Sequence, residues 1–188
     1  MLRKSGYFKS WSIDYRQIKP ILDFAREKGI ALVALNIPRE LHRKVVRSGM
    51  EGLSETEKAQ LPQDIDRSDK AYEVRIKKYL TRHPNHASMD RMIEGQLLWD
   101  ESMAQTAANH LEQHPGRRMV ILAGSGHVAF GSGIAKRLTR RQPANVAAIL
   151  TGTEFADEAG AADFFILPRD MDLPEPGRLG VETTDSDD

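Results

Sequence analysis

From Asp14 to Lys28 apolar residues recur at Ile18, Ile21, Leu22 and Ala25, the spacing of an amphipathic helix, and Gly29 follows as a stop signal. Residues 30–37 then form an almost unbroken apolar run of strand length. A strand so apolar is expected to be buried on both faces, as in a parallel sheet. Pro38 to Arg47 reads as a short helix ended by Gly49, and Ser54-x-x-Glu57 as the capping box of another. Ser68 to Arg82 places Tyr72, Ile76, Tyr79 and Leu80 on one face and breaks at His83-Pro84. Ser88 to Gln113 is the longest predicted helix. Arg118 to Ala123 is a second apolar strand, running into a glycine-rich stretch from Gly124 to Gly133. Ile134 to Arg141 reads as a helix, Val146 to Leu150 as a third strand and Asp163 to Leu167 as a fourth.

Alternation of this kind implies an α/β fold, a three-layer sandwich around a mainly parallel sheet, with a helical insertion between its first two strands. Two features are odd for such a fold. The chain opens on a helix, and about four strands make a thin sheet where five or six are usual. In open parallel sheets ligands bind beyond the carboxyl ends of the strands. That topology predicts that Asn36, Arg39, His127 and Thr151 lie along one rim.

Composition narrows the classes. The chain has 188 residues, 27 basic and 27 acidic, and no cysteine. Disulfides, cysteine–zinc sites and cysteine nucleophiles are excluded, and the balanced charge argues against wholesale nucleic-acid binding. No apolar run approaches the roughly 20 residues of a membrane span. The neutrality is uneven. Past Arg169 there are seven acidic residues against Arg178 alone, with Pro174, Pro176, Gly177 and Gly180 among them. Residues 1–169 therefore read as one basic domain and 170–188 as an acidic tail or linker.

Three groups of residues can carry chemistry. Gly124-x-Gly126-x-x-Ala129 after a strand formally fits a dinucleotide fingerprint, but the acidic residue expected about 20 positions on is Thr151 instead. The glycines either shape a tight strand-to-helix turn or cradle a ligand. His127 stands inside that turn, where a backbone-only loop needs no imidazole, which points to a ligand or acid/base role. On the long helix, at about 100° per residue, Met89, Met92, Ile93, Trp99, Met103 and Ala107 share a face. Gln96 and Asp100 fall in its middle, so they either bracket a ligand or tie the helix to loop backbone. Glu101 points the other way and is expected in solvent. The third group is Tyr72, Tyr79, His83 and His86. Tyr and His are both iron ligands in haem proteins, and a packed tyrosine face with solvated histidines is the other reading. His42, His110 and His114 lie on polar stretches and are assigned no role.

Three segments agree in order with one family: Trp11-x-x-Asp14-Tyr15-x-x-Ile18, continuing to Ala34-x-Asn36-x-Pro38-Arg39; Gln96-Leu-Leu-Trp99-Asp100-Glu101-x-Met103-Ala104; and Leu122-Ala123-Gly124-x-Gly126-His127-Val128. Together they resemble the ChaN-like haem-binding uptake proteins of the wider Tiki/erythromycin-esterase-like superfamily, over roughly residues 11–168. The resemblance implies haem as cofactor, iron and haem uptake at the cell envelope, and often a lipid-anchored protein that forms homodimers around its haems. It places His127, Gly124, Gly126, Tyr79, His83, His86, Gln96, Asp100, Asn36 and Arg39 as cofactor-binding candidates.

Members of the wider superfamily pair Gly-x-x-His motifs with acidic residues, some for metal-dependent hydrolysis. Gly124-Ser-Gly-His127 matches one such motif, which makes His127 a metal-ligand candidate. The partner motif, a Gly-Glu-x-His ending the family's first strand, has no counterpart here. The chain is therefore expected to be the C-terminal part of the family domain, without its first strands and without any lipid anchor. An inactive remnant is a third reading beside haem binding and hydrolysis.

Overall fold

The computed structural model describes residues 13–81 and 88–169. In chain order its helices are α1 (Tyr15–Glu27), α2 (Arg39–Ser48), α3 (Glu55–Lys58), α4 (Lys70–Leu80), α5 (Met89–Gln113), α6 (Ser125–Val128) and α7 (Ile134–Arg141), followed by strands β1 (Ile149–Thr151) and β2 (Phe164–Ile166). Caps in the sequence fix several helix starts. Asp14, Asp69 and Ser88 each accept a backbone N–H from the first turn of α1, α4 and α5, and Ser54 with Glu57 closes the expected capping box on α3.

Helix α5 is the axis of the fold. Leu98, Ala104 and Ala107 are wholly buried on it. Leu41 and Val45 of α2 pack with Leu53, Leu61 and Leu98. Tyr72 and Ile76 of α4 pack on Leu97, and Ile134 and Leu138 of α7 pack on Met103, Ala104, Ala107 and Ala108. A helix with three helical neighbours is buried nearly all round, so its periodicity is blurred. Gly95 permits the closest approach, because a Cβ there would overlap Val46 of α2. Truncating Leu98 to alanine would cost about 2–5 kcal/mol by the cavity it leaves.

That encirclement corrects the expectation for Glu101. Its carboxylate is wholly buried. Three α7 arginines meet it: Arg141 Nη1 at 2.7 Å, Arg140 Nη2 at 3.1 Å and Arg137 Nε at 3.2 Å, the last off the hydrogen-bond direction. The Asp66 backbone N–H adds a hydrogen bond at 2.9 Å.

The strands are also fewer than expected. β1 and β2 pair in parallel, with Ile149 opposite Phe164, Leu150 opposite Phe165 and Thr151 opposite Ile166. The runs at 30–35 and 118–123 join no ladder among the described residues. The molecule is mostly helical with a small parallel sheet, an α/β arrangement of coarser form than three layers. Nor is the 30–37 run buried on both faces, since Ile30, Leu32 and Val33 are all exposed. The physical reason is a helical layer on one side only: Leu35, Met119, Ile121 and Ala123 pack against the α5–α7 core. No helix among the described residues is long and apolar enough to cross a membrane.

Candidate functional site

The Gly124–Gly133 loop carries His127 down onto α5, and α5 meets it with two polar residues one turn apart. His127 Nδ1 lies 2.5 Å from Asp100 Oδ1 and 2.9 Å from Gln96 Nε2. One ring nitrogen cannot donate to the carboxylate and accept from the amide at once. The wholly buried Asp100 carboxylate requires donors to stay ionised, so it takes the Nδ1 proton, with Gln96 alongside. The tautomer that results leaves Nε2 with its lone pair available.

The second Asp100 oxygen accepts a hydrogen bond from the Tyr72 hydroxyl of α4 at 2.7 Å. Burial and the adjacent Asp100 charge push the Tyr72 phenol well above its ordinary range, so it stays a donor. The Arg137 guanidinium stands over the Tyr72 ring, 4.1 Å from its centroid. The arrangement is a relay: Tyr72, Asp100, then a clamped His127 that is only partly exposed.

The loop is held from several sides. Gly133 is obligatory, because a Cβ there would overlap the His127 carbonyl and crowd Asp100. Phe130 has φ of 62°, a left-handed conformation costing about 1–3 kcal/mol for a bulky residue. It is restrained by its N–H bond to the Ala161 carbonyl at 2.7 Å, by an edge contact with Phe155 and by the Arg75 guanidinium. Ser125 donates to Glu154 at 3.1 Å.

Beside the relay is an aromatic stack. His42 of α2 lies on Trp99 at 3.6 Å between ring centroids and 4° between planes, and Trp99 meets His127 edgewise at 5.8 Å. His42 is buried, and its Nε2 makes no hydrogen bond. Burial, aided by the Arg39 charge, lowers this imidazole to about 4, against the opposing pull of the neighbouring Gly95 backbone.

The residues expected from sequence fall into three sets. His127, Gln96 and Asp100 come together, and Gly124 caps α6, which carries the histidine. Tyr79 joins them from α4: its ring lies 3.3 Å from where a Gly126 Cβ would stand, so that glycine lets the phenol approach the loop. Asn36 and Arg39 are exposed at the start of α2. The Asn36 side chain accepts the Ile37 N–H, a local role, whereas Arg39 acts on the stack through its charge on His42. Thr151 is exposed in β1. His83 and His86 lie outside the described residues. The sequence assigns His42 no role and groups Tyr72 with Tyr79, His83 and His86 as iron ligands or a packed tyrosine face, whereas the structure makes Tyr72 the donor to Asp100. His42 shares the buried stripe of α2 with Leu41 and Val45, a signal masked by its basic neighbours.

A partly exposed imidazole clamped by a buried carboxylate, next to an indole and a phenol, gives this α/β domain one oriented nitrogen donor. Residues 1–138 match the haem-binding uptake family of the Tiki superfamily, ChaN, and the chain belongs to that family. A curated relative, the chloroplastic protein RETICULATA-RELATED 5 of Arabidopsis thaliana, is 24% identical over 151 residues, which cover 73% of this chain and 20% of that protein. The chain thus spans about a fifth of that relative's length. No solved structure matches.

One oriented imidazole donor is in the described site. Among the described residues no three His, Asp or Glu side chains converge on one point, whereas a catalytic zinc ion takes about three protein ligands. A porphyrin brings its own four nitrogens and needs as little as one axial side chain. The Nε2 of His127, oriented by Asp100, is such a donor.

Proposed function

We propose that this chain binds haem through His127 and serves haem uptake, the role its family's description names, and that it does so at the cell envelope. One observation carries the reading: the 2.5 Å contact of His127 Nδ1 with a wholly buried carboxylate that is itself held by Tyr72. An imidazole buttressed in this way is fixed in tautomer and orientation, the usual support for a metal-bound histidine. Bound haem would supply an iron centre and a broad apolar plane. Trp99 and Tyr79 lie beside His127 and its loop, and Arg39 offers a cation of the kind that pairs with carboxylates. His83 and His86 belong to the same proposal as further donors. The fuller three-layer sandwich and a homodimeric, membrane-anchored form belong to it as well.

Adding hemin to the purified chain is expected to give a shifted Soret band at micromolar concentration. His127→Ala should remove most of the shift, and His83→Ala, His86→Ala and Tyr79→Phe should show which further side chain contributes. No Soret change at micromolar hemin would overturn the proposal. Metal-dependent hydrolysis, the other activity implied by the superfamily, has one histidine of its ligand set here; hydrolysis lost on chelation would favour it instead.

A further inference from the structure

Helix α2 has two unlike sides. Leu41, His42 and Val45 are its buried residues, while Arg39, Arg43 and Arg47, spaced four apart, are exposed along the opposite side. Lys44 and Ser48 join Arg43 and Arg47 in lining a shallow groove, and Glu40 is the acid among its lining residues. The Lys44 ammonium is taken up by Glu57 at 2.7 Å. The exposed arginines of other elements commonly hold a carboxylate, as Arg16, Arg26, Arg91 and Arg140 do. Arg43 and Arg47 have no ion-pair partner among the described residues. Like charges four apart on a helix repel, and an acidic segment laid along α2 would relieve that repulsion.

The sequence holds such a segment. Residues 170–188 carry seven acidic side chains against Arg178 alone, and the remainder of this neutral chain is correspondingly basic. Glu182, Asp185, Asp187 and Asp188 stand together at the far end with no base among them. From the end of β2 a succession of contacts leads to α2. The Gly152 N–H donates to the Ile166 carbonyl at 3.0 Å, and Ser125 of α6 reaches Glu154 at 3.1 Å. His127 of α6 then meets Trp99, on which His42 of α2 is stacked. The nineteen residues from 170 to 188 can span up to about 60 Å when extended. A compact chain of this length has a radius of gyration of only about 16 Å, so α2 is within reach.

We infer that the exposed arginine ridge of α2 is a docking surface, and that its occupant is the chain's own acidic segment, residues 182–188. Guanidinium groups take carboxylates in paired, parallel N–H bonds. Each exposed pair is weak and screened by salt, but a tethered segment is held at a high local concentration, so several weak pairs act together. The contact is therefore reversible and salt-sensitive. Arg117 and Arg118 are also exposed and without an ion pair among the described residues. They are adjacent in sequence, however, and form no ridge along one face. The inference does not rest on the haem reading, because neither Arg43 nor Arg47 belongs to the His127 site.

The chain has no cysteine, so Ser186→Cys takes a single nitroxide label in the full chain. Paramagnetic broadening of the backbone amide signals then reports which residues that label approaches. At low salt and without hemin, the α2 amides around Arg43 and Arg47 are expected to lose at least half of their intensity. They should regain it as salt rises from about 0.01 M to about 1 M, where the screening length falls from ~30 Å to ~3 Å. Arg43→Glu combined with Arg47→Glu should abolish the broadening at low salt with an unchanged far-UV circular dichroism spectrum, and the two glutamine replacements should weaken it. Broadening that is absent, spreads evenly over the surface, centres on Arg117 and Arg118, or survives both glutamates would overturn the inference. So would broadening seen only between labelled and unlabelled copies, which would place the segment on a second molecule. An α2 face that takes an added acidic peptide while ignoring residues 182–188 would also overturn it, in favour of an external acidic partner.

Discussion

Asp100 and Glu101 are neighbours on α5, both wholly buried, and their surroundings differ in kind. Glu101 turns to α7 and meets three guanidinium groups. Asp100 turns about 100° away and meets a phenol and an imidazole. Arginines stay charged at every accessible pH, so the Glu101 cluster has one state and acts as a lock between helices. An imidazole can be neutral, charged or metal-bound, so Asp100 holds a group whose state a ligand can change. The two carboxylates share a helix and a burial, and their partners separate structure from function.

The comparison breaks first at Glu101. Replacing it by glutamine leaves three arginines facing one another around a buried neutral amide. Removing one side of a buried ion pair costs about 3–5 kcal/mol, a large share of the 5–15 kcal/mol or so that holds a typical domain. Thermal unfolding of Glu101→Gln is expected roughly 10 °C or more below wild type. The hemin affinity of the folded fraction should stay near that of the parent. A stable Glu101→Gln chain that had lost hemin binding would reverse the assignment of the two residues.

His42 sharpens the comparison with pH. Unfolded, its imidazole takes up a proton near its ordinary value of 6.5; folded, it resists until about 4. Between these values the unfolded chain binds more protons, so this contribution to stability is complete above about 6.5. It declines as pH falls toward 4 and reaches a floor below that. The full loss is about 3 kcal/mol. Urea midpoints measured across that window should fall with pH, and His42→Phe, which keeps a ring on Trp99, should flatten the slope. An unchanged slope would mean that other groups set the acid limit.

Much of this was legible in the sequence, and the failures share a cause. Apolar spacing and caps located α1, α2, α4, α5 and α7 to within a residue or two. The mid-stripe pair Gln96 and Asp100 and the histidine in the glycine loop were recognisable because polar residues in an apolar stripe demand partners. Glu101 was misplaced because a wheel assigns one buried face, while α5 has neighbours on several sides. His42 was passed over because Arg39, Arg43 and Lys44 make its helix read as polar, although Leu41 and Val45 flank it on the buried side. The strand runs at 30–37 and 118–123 were identified by composition, which records that a segment is apolar and not whether a partner strand is present.

The finest test of the Asp100 assignment compares its two hydrogen bonds. Asp100→Asn keeps the shape but replaces the ionised acceptor, so the imidazole loses the charge that fixes its tautomer. Loss of such a supporting partner typically costs about 10–100-fold in metal affinity. Hemin binding, followed by Soret titration, should weaken by that order. Tyr72→Phe removes only the donor to Asp100 Oδ2, 2.7 Å away, and leaves the His127 contact in place. It should cost about 1–3 kcal/mol of stability, the penalty of an unsatisfied buried acceptor, and weaken hemin binding less than Asp100→Asn does. If the relay orders His127 through Asp100, the two variants rank in that sequence for affinity. If Tyr72→Phe weakened hemin binding as much as Asp100→Asn, the phenol would itself reach the ligand, and the relay would have to be redrawn around it.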